Sequence, residues 1–242
     1  MQSFIRPWLS PKLTTSMLNV MKGLGHRTLY SRGDVIYESP SLFEKLMFIR
    51  NGVVAKALLD PIREEPLLLS LGSSGSLCGS YENLYLRDRL PRRHYCLTSV
   101  EILVVNQELL LKIADQTPEW HQELSRYSAT CALCDRLGML LNRVGQVNQR
   151  LGALMLLLHE DQHPDWIKQL HTSGIEWLPI TLYPGLATIS MLLESNIEVL
   201  QDTIRGWWNN NDLKYRNHQY WFRRSTFIEY WIWIQEMISK NS

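Results

Sequence analysis

The segment opened by Pro118 constrains this chain more than any other. A proline is harmless in the first turn of a helix, where its missing N–H would have no acceptor. Downstream, Trp120, Leu124, Tyr127, Cys131, Cys134, Gly138 and Leu141 follow one another at steps of 4, 3, 4, 3, 4 and 3. That is the spacing of a coiled-coil seam. A second apolar row, Leu133, Leu137, Leu140 and Val144, runs beside it. A helix with two apolar rows needs two partners. The expectation is that the first row clasps a second copy, giving a homodimer, and that the second packs on the chain's own fold.

The sequence changes character on either side of this helix. From His26 to about Val105 it reads as short strands and turns: "TLYSRGDVIYE", "KLMFIRNGVVAKALLD", "PLLLSLG" and "HYCLTSVEILVV". Asn51-Gly52 suits a type I′ hairpin, since both residues take positive φ cheaply. Many short strands with glycine-bearing turns imply a sandwich, barrel or roll. A short helix is expected over Asn106–Ala114. After Gly145 come a helix, a polar stretch from His159 to His171, and then helix, helix, β-hairpin and helix. Thr226 and Glu229 have the spacing of a capping box at the start of the last helix.

At 242 residues and 45% hydrophobic, the chain can form two packed domains. No run approaches the roughly 18 apolar residues of a membrane span; the longest, Leu151–Leu158, is interrupted by Gly152. The opening MQSFIRPWLSPK lacks the apolar core of a secretory signal. A cytoplasmic location without membrane contact is expected. The formal charge is +1, and residues 150–242 hold 8 Lys/Arg against 10 Asp/Glu, a balance of −2, together with seven of the nine tryptophans. Bulk charge therefore does not announce a nucleic-acid partner.

Two stretches resemble the cyclic AMP receptor/FNR superfamily of bacterial transcription regulators. "YSRGDVIYESPSLFEKLMFIRNGVV" is similar to that family's opening roll strands, through Gly33, Asp34, Phe48, Ile49 and Gly52. "ATISMLLESNIEVLQDTIRGWWNNNDL" is similar to its helix-turn-helix. The resemblance implies an α+β chain: an N-terminal cyclic-nucleotide-binding-like β-roll (1–117), a dimerisation helix (118–146), and a C-terminal winged helix-turn-helix with an extra Trp-rich helix (147–242). It implies a dimeric, sequence-specific DNA-binding regulator reading a palindromic operator in double-stranded DNA, with RNA polymerase or another regulator as a further partner. The alternative is a degenerate member that acts as a protein-interaction module through its Trp-rich C-terminal region.

The family's nucleotide clamp corresponds here to Gly79, Ser80, Arg92 and Arg93, the candidate effector pocket. Ser80 stands where the family's ribose-binding carboxylate would, and serine is a poorer double acceptor. Cyclic AMP dependence is not expected. In the helix-turn-helix the family's turn glycine and base-reading arginine are absent. Asn196 is a good N-cap, and Glu198 matches a family glutamate suited to a cytosine amino group. Gln201 and Arg205 share its side of the helix at spacings of 3 and 4. Phosphate contact is assigned to the wing through Lys214, Arg216, His218, Arg223 and Arg224.

Other chemistry is weak. Cys131 and Cys134 have no second ligand pair at zinc spacing, so they read as apolar filler of the seam, with redox sensing as the alternative. His159 and His163 have helical ligand spacing but lack the zinc-protease order, and a solvated loop is expected there. "GSSGSLCGS" lacks the lysine of a phosphate-binding loop. No metal, no cofactor and no catalysis are expected. The last helix, apolar nearly all round from Phe227 to Ile238, is expected to be buried.

Overall fold

A computed structural model describes residues 5–39, 45–60, 62, 65–79, 81, 90–181 and 183–239. The chain divides into two compact units, residues 1–139 and 140–242.

The first unit opens with a buried segment, Arg6 to Leu13, and helix α1 (Thr15–Leu24), capped by the Thr14 hydroxyl. Eight strands follow: β1 (His26–Tyr30), β2 (Val35–Glu38), β3 (Lys45–Asn51), β4 (Val54–Leu59), β5 (Pro66–Gly72), β6 (Leu77–Gly79), β7 (Arg92–Cys96) and β8 (Val100–Asn106). They form two antiparallel sheets of order β1-β8-β3-β6 and β2-β7-β4-β5. The chain thus changes sheet at most turns, which makes a roll. Asn51-Gly52 is one of these crossovers and not a hairpin within one sheet. Only Gly52 has positive φ there (93°), and the Asn51 side chain accepts from its N–H at 2.9 Å.

β8 shows why its sequence is almost unbroken apolar: both of its faces are covered. Ile102 and Val104 join Met47, Ile49, Val54, Cys78 and Cys96 in one core cluster. Leu103 and Val105 join Leu46, Phe48 and Leu77 in another, which includes side chains of three helices: α1, α2 (Gln107–Asp115) and α3 (Pro118–Val144). Asn106 caps α2, accepting from the Leu109 N–H at 3.0 Å.

α3 corrects the sequence expectation on both rows. Leu124, Tyr127 and Cys131 lie in the core cluster with Leu13, Met17 and Met21, and Trp120 is packed against it. Cys134 is buried, Gly138 touches the Trp8 indole, and Leu141 is fully buried. The row assigned to a second copy is therefore covered within the chain. For most of its length the cover is the N-terminal segment and α1, to which no pattern within α3 points. The row assigned to the chain's own fold is the open one, with Leu133 at 44%, Leu140 at 36% and Val144 at 53% exposure.

The second unit is built on α4 (Val147–Gln162), which is buried on nearly every side from Arg150 to His159. Gly152 is required there, because a Cβ would stand 2.1 Å from the Tyr230 ring. Then come α5 (Trp166–His171), β9 (Trp177–Ile180), α6 (Leu186–Leu192), α7 (Ile197–Asn209), β10 (Leu213–Arg216), β11 (Gln219–Arg223) and α8 (Arg224–Ser239). The expected hairpin gains β9 as a third strand, in the order β10-β11-β9. α8 starts earlier than the capping-box reading implies, and the Thr226 hydroxyl instead donates to Asp212 Oδ1 at 3.0 Å. α8 is also less buried than expected: Phe227, Tyr230 and Ile234 face inward, whereas Ile232 is half exposed.

Candidate functional site

Two places carry the sequence-derived site residues: the interior of the roll and the surface of α7 with its wing.

In the roll, Gly79 has a φ of +84°, and its N–H donates to Nδ1 of buried His94 at 3.0 Å. That bond makes Nδ1 the acceptor, and burial holds the imidazole well below its ordinary value, so His94 is neutral at physiological pH. Lys56 is buried with its ammonium 2.6 Å from the Ser10 hydroxyl and 4.6 Å from the centre of the Tyr81 ring. Arg92 lines the same space with Lys56, Ser70, Tyr81, His94 and Asp135, a cavity of about 10 Å³. Arg93 is turned to Glu38, 2.7 Å away. Ser80 lies outside the described residues. Among the described residues, then, the predicted pocket residues do not converge on one ligand-sized space: a drug-sized ligand needs some hundreds of Å³.

The four thiols are buried, and none is paired in a disulfide. Burial pushes Cys78 and Cys131 up to about 12 and Cys96 and Cys134 up to about 11. A reactive thiol needs the opposite environment, exposed and electropositive. The packing reading of Cys131 and Cys134 fits this geometry.

The second unit holds a helix-turn-helix made by α6 and α7. The side chain of Arg150, at the start of α4, donates to the Leu193 carbonyl at 2.6 Å and to the Asn142 carbonyl at 3.0 Å. Asn142 donates to the Leu192 carbonyl at 2.9 Å. Two donors, one of them cationic, thus satisfy the free carbonyls ending α6 and oppose its dipole. Neither residue was found from sequence, because no local pattern ties positions 142 and 150 to position 193.

In the turn, Glu194 has a φ of 47° and Asn196 caps α7 by accepting from the Glu198 N–H at 2.8 Å. The left-handed conformation is one that glycine adopts more cheaply, by about 1 kcal/mol. Leu200 and Trp207 anchor the buried side of α7 with Ile189, Leu192 and Leu193 of the preceding helix and turn. Glu198, Gln201, Asp202 and Arg205 are exposed. Gln201 and Arg205 line an open groove of about 590 Å³ with Tyr183, Leu186, Ile204 and Tyr220. Arg205 also pairs with Asp202 at 2.7 Å, which occupies part of its charge.

The wing cations are divided. Asn217 and His218, with φ of 51° and 61°, form the two-residue turn joining β10 to β11, with both values in the range a type I′ turn needs. Arg216 and His218 are exposed at this tip. Lys214 lies over the Trp177 ring at 3.7 Å. Arg223 sits near Glu176 and Asp212, at 3.9 and 4.0 Å, and Arg224 donates to the Leu170 carbonyl. Arg223 and Arg224 thus direct part of their charge to groups of the second unit itself.

The end of α4 departs from the sequence reading. His159 is fully buried inside the helix, not in a solvated loop, and its ring lies 4.4 Å from that of His163. Among the described residues no group of three or more His, Cys, Asp or Glu could hold a metal ion. No helix among the described residues is long and apolar enough to cross a membrane.

No protein-family model matches the sequence, and no curated protein matches it either. Solved structures do. A CooA mutant from Carboxydothermus hydrogenoformans aligns over 97% of this chain and 98% of its own, with a TM-score of 0.65 and 12% identity. FixK2 from Bradyrhizobium japonicum aligns over 85% and 96%, with a TM-score of 0.65 and 16% identity. A transcriptional regulator of the CRP/FNR family from Thermus thermophilus aligns over 85% and 97%, with a TM-score of 0.62 and 15% identity. The similarity runs through the roll, the long helix and the helix-turn-helix in order, so this chain has the fold of the CRP/FNR regulators, kept at a sequence distance where few side chains are shared.

Proposed function

We propose that this chain is a sequence-specific DNA-binding transcription regulator that works as a homodimer and does not depend on cyclic AMP. The observation that carries the reading is α7, a capped helix that buries Leu200 and Trp207 and leaves Glu198, Gln201 and Arg205 outward beside a basic wing tip. Polar side chains held this way suit base edges in a major groove. Arg216, His218 and Lys214 supply phosphate contact, and Asn196 fixes the start of the reading helix. The balance of −2 over residues 150–242 makes affinity modest and salt-sensitive. The structural neighbour from Thermus thermophilus is itself described as a transcriptional regulator. Such a role places the chain in the cytoplasm, with RNA polymerase or another regulator as a further contact, and it calls for no catalytic group.

Homodimerisation is reassigned to the open row of α3. Leu133, Leu140 and Val144, with half-buried Leu137 between them, repeat at steps of 4, 3 and 4, which suits antiparallel or parallel packing against the same row of a second copy. Independence from cyclic AMP is supported, among the described residues, by the small space left around Lys56 and His94. The site residues at Gly79, Arg92 and Arg93 then act as structure.

The test is selection of genomic fragments followed by a mobility-shift assay. The selected site is expected to be a rough palindrome with half-sites about 10 bp apart. Arg205→Ala and Gln201→Ala should each weaken specific binding; equal retardation by both variants would remove α7 from the reading role. Cyclic AMP should leave both the melting temperature and the retardation unchanged.

A second reading, a protein-interaction module, has one observation in its favour: Ile197, Val199 and Trp208 are 39%, 45% and 52% exposed on α7 itself. The Trp-rich tail does not favour it, since Trp231 packs on Trp166 and Trp233 sits against Gly145. Failure to bind any genomic DNA at low salt would move the assignment to this module.

A further inference from the structure

Buried polar atoms are nearly always paired, and an exception in a folded protein calls for a reason such as a bound water or ion. In the second unit two exceptions lie side by side. The Nε2 atoms of His159 and His163 are both buried without a hydrogen-bond partner. The two residues are one helical turn apart at the end of α4, so their side chains share a face, and the rings lie 4.4 Å apart with 30° between their planes.

The other nitrogen of His159 is fixed. Nδ1 lies 2.7 Å from the Pro179 carbonyl oxygen on β9, and a carbonyl only accepts, so Nδ1 carries the proton. The neutral ring then has its lone pair on Nε2, the atom without a partner. This is the arrangement that orients a metal-binding histidine: one nitrogen donates to a backbone carbonyl, and the other is left as ligand. The Gln169 side chain on α5 is near enough to influence His159 while forming no hydrogen bond of normal geometry to Nε2. Phe227 closes another side, its ring 5.8 Å from that of His159.

We propose that His159 and His163 are a two-histidine site for one borderline transition-metal ion of the zinc, copper or cobalt class, with Gln169 or water completing its coordination. Imidazole suits these ions and excludes magnesium and calcium, which take oxygen ligands. A bound ion would tie the end of α4 to β9 through Pro179. The site stands whether or not α7 reads DNA.

The experiment is titration of untagged, metal-free protein with Co²⁺, read by its visible absorption and by calorimetry, and repeated with Zn²⁺. One ion per chain is expected, with a rise in melting temperature. His163→Ala removes a half-buried ligand, keeps the His159–Pro179 bond, and should abolish both the absorption and the rise. His159→Asn is the second variant; should it fail to fold, His163→Ala decides alone. The proposal is overturned if the wild-type chain takes up no ion, or if His163→Ala binds it as the wild type does, which would put the ion on other histidines. Two orphaned nitrogens bridged by water would give the first of these results.

Discussion

The two apolar rows of α3 run side by side on one helix and have opposite surroundings. Leu124, Tyr127, Cys131 and Cys134 are at most 5% exposed, while Leu133, Leu140 and Val144 run from 36% to 53%. What separates them is what lies above each. The Tyr127 hydroxyl accepts from the Leu77 N–H at 2.7 Å, Thr14 is tied to Glu123, and Trp8 lies over Gly138. The buried row is thus part of the first unit's own architecture, held by polar contacts that a transient partner would not need. The open row offers only aliphatic side chains. One helix therefore serves folding on one side and stays free for association on the other, and each side should respond to different perturbations.

The largest expected effect is on the buried row. Leu124→Ala removes a fully buried side chain from the cluster shared by β3, β8 and α1, and should cost about 2–5 kcal/mol, read as an earlier urea midpoint for the first unit. A smaller cost would mean that the row packs more loosely than its burial implies.

Alkaline pH comes next. An unfolded thiol titrates near 9, whereas Cys131 and Cys134 are held up at about 12 and about 11. Below pH 9 both states keep the proton, and stability is intact. As pH rises from 9 through the folded values, the unfolded chain gives up protons that the folded chain retains, so stability falls. At pH 10 the loss is about 1 kcal/mol per thiol. Tyr127, also raised by burial, steepens the decline above that. The open row has no titratable group in this range. Replacing both cysteines by alanine should roughly halve the thiol contribution to the slope between pH 8 and 10, since Cys78 and Cys96 are held up as far, and an unchanged slope would place the titration elsewhere.

Tyr127→Phe tests the polar tie. The substitution keeps the ring, which packs edge-on against Tyr81, and leaves the Leu77 N–H without its acceptor, a cost of about 1–3 kcal/mol.

These rows also mark where sequence reading succeeds. A 4-3 spacing locates both stripes, since helical geometry alone fixes the angle between them. It does not say which stripe is covered, because the cover comes from Trp8, Leu13, Met17 and Met21, more than a hundred positions away. The continuous apolar run of β8 was legible as a strand, and Asn196 as a cap, because each depends on its neighbours in the chain. The sheet change at Asn51-Gly52 was not legible, as a tight turn has the same residues whether or not the strands it joins pair with each other. The candidate reading residues on α7 followed from helix periodicity. The inward turn of Arg223 and Arg224 did not, since it depends on Glu176, Asp212 and the Leu170 carbonyl.

The smallest effect on folding should come from the open row. Leu133→Glu with Leu140→Glu places two charges where the side chains are already partly in water, so the isolated chain should lose no more than about 0.5 kcal/mol per substitution. Its oligomeric state should change completely, because carboxylates facing their own symmetry mates cannot be buried unpaired. Sedimentation of the wild type should give twice the chain mass, and of the double variant the chain mass, with matching urea midpoints for the first unit at low protein concentration. Loss of the dimer should also abolish retardation of a palindromic site while leaving weak binding to a half-site. A double variant that still sediments as a dimer would mean that association uses another surface, and that the exposure of this row has a different cause.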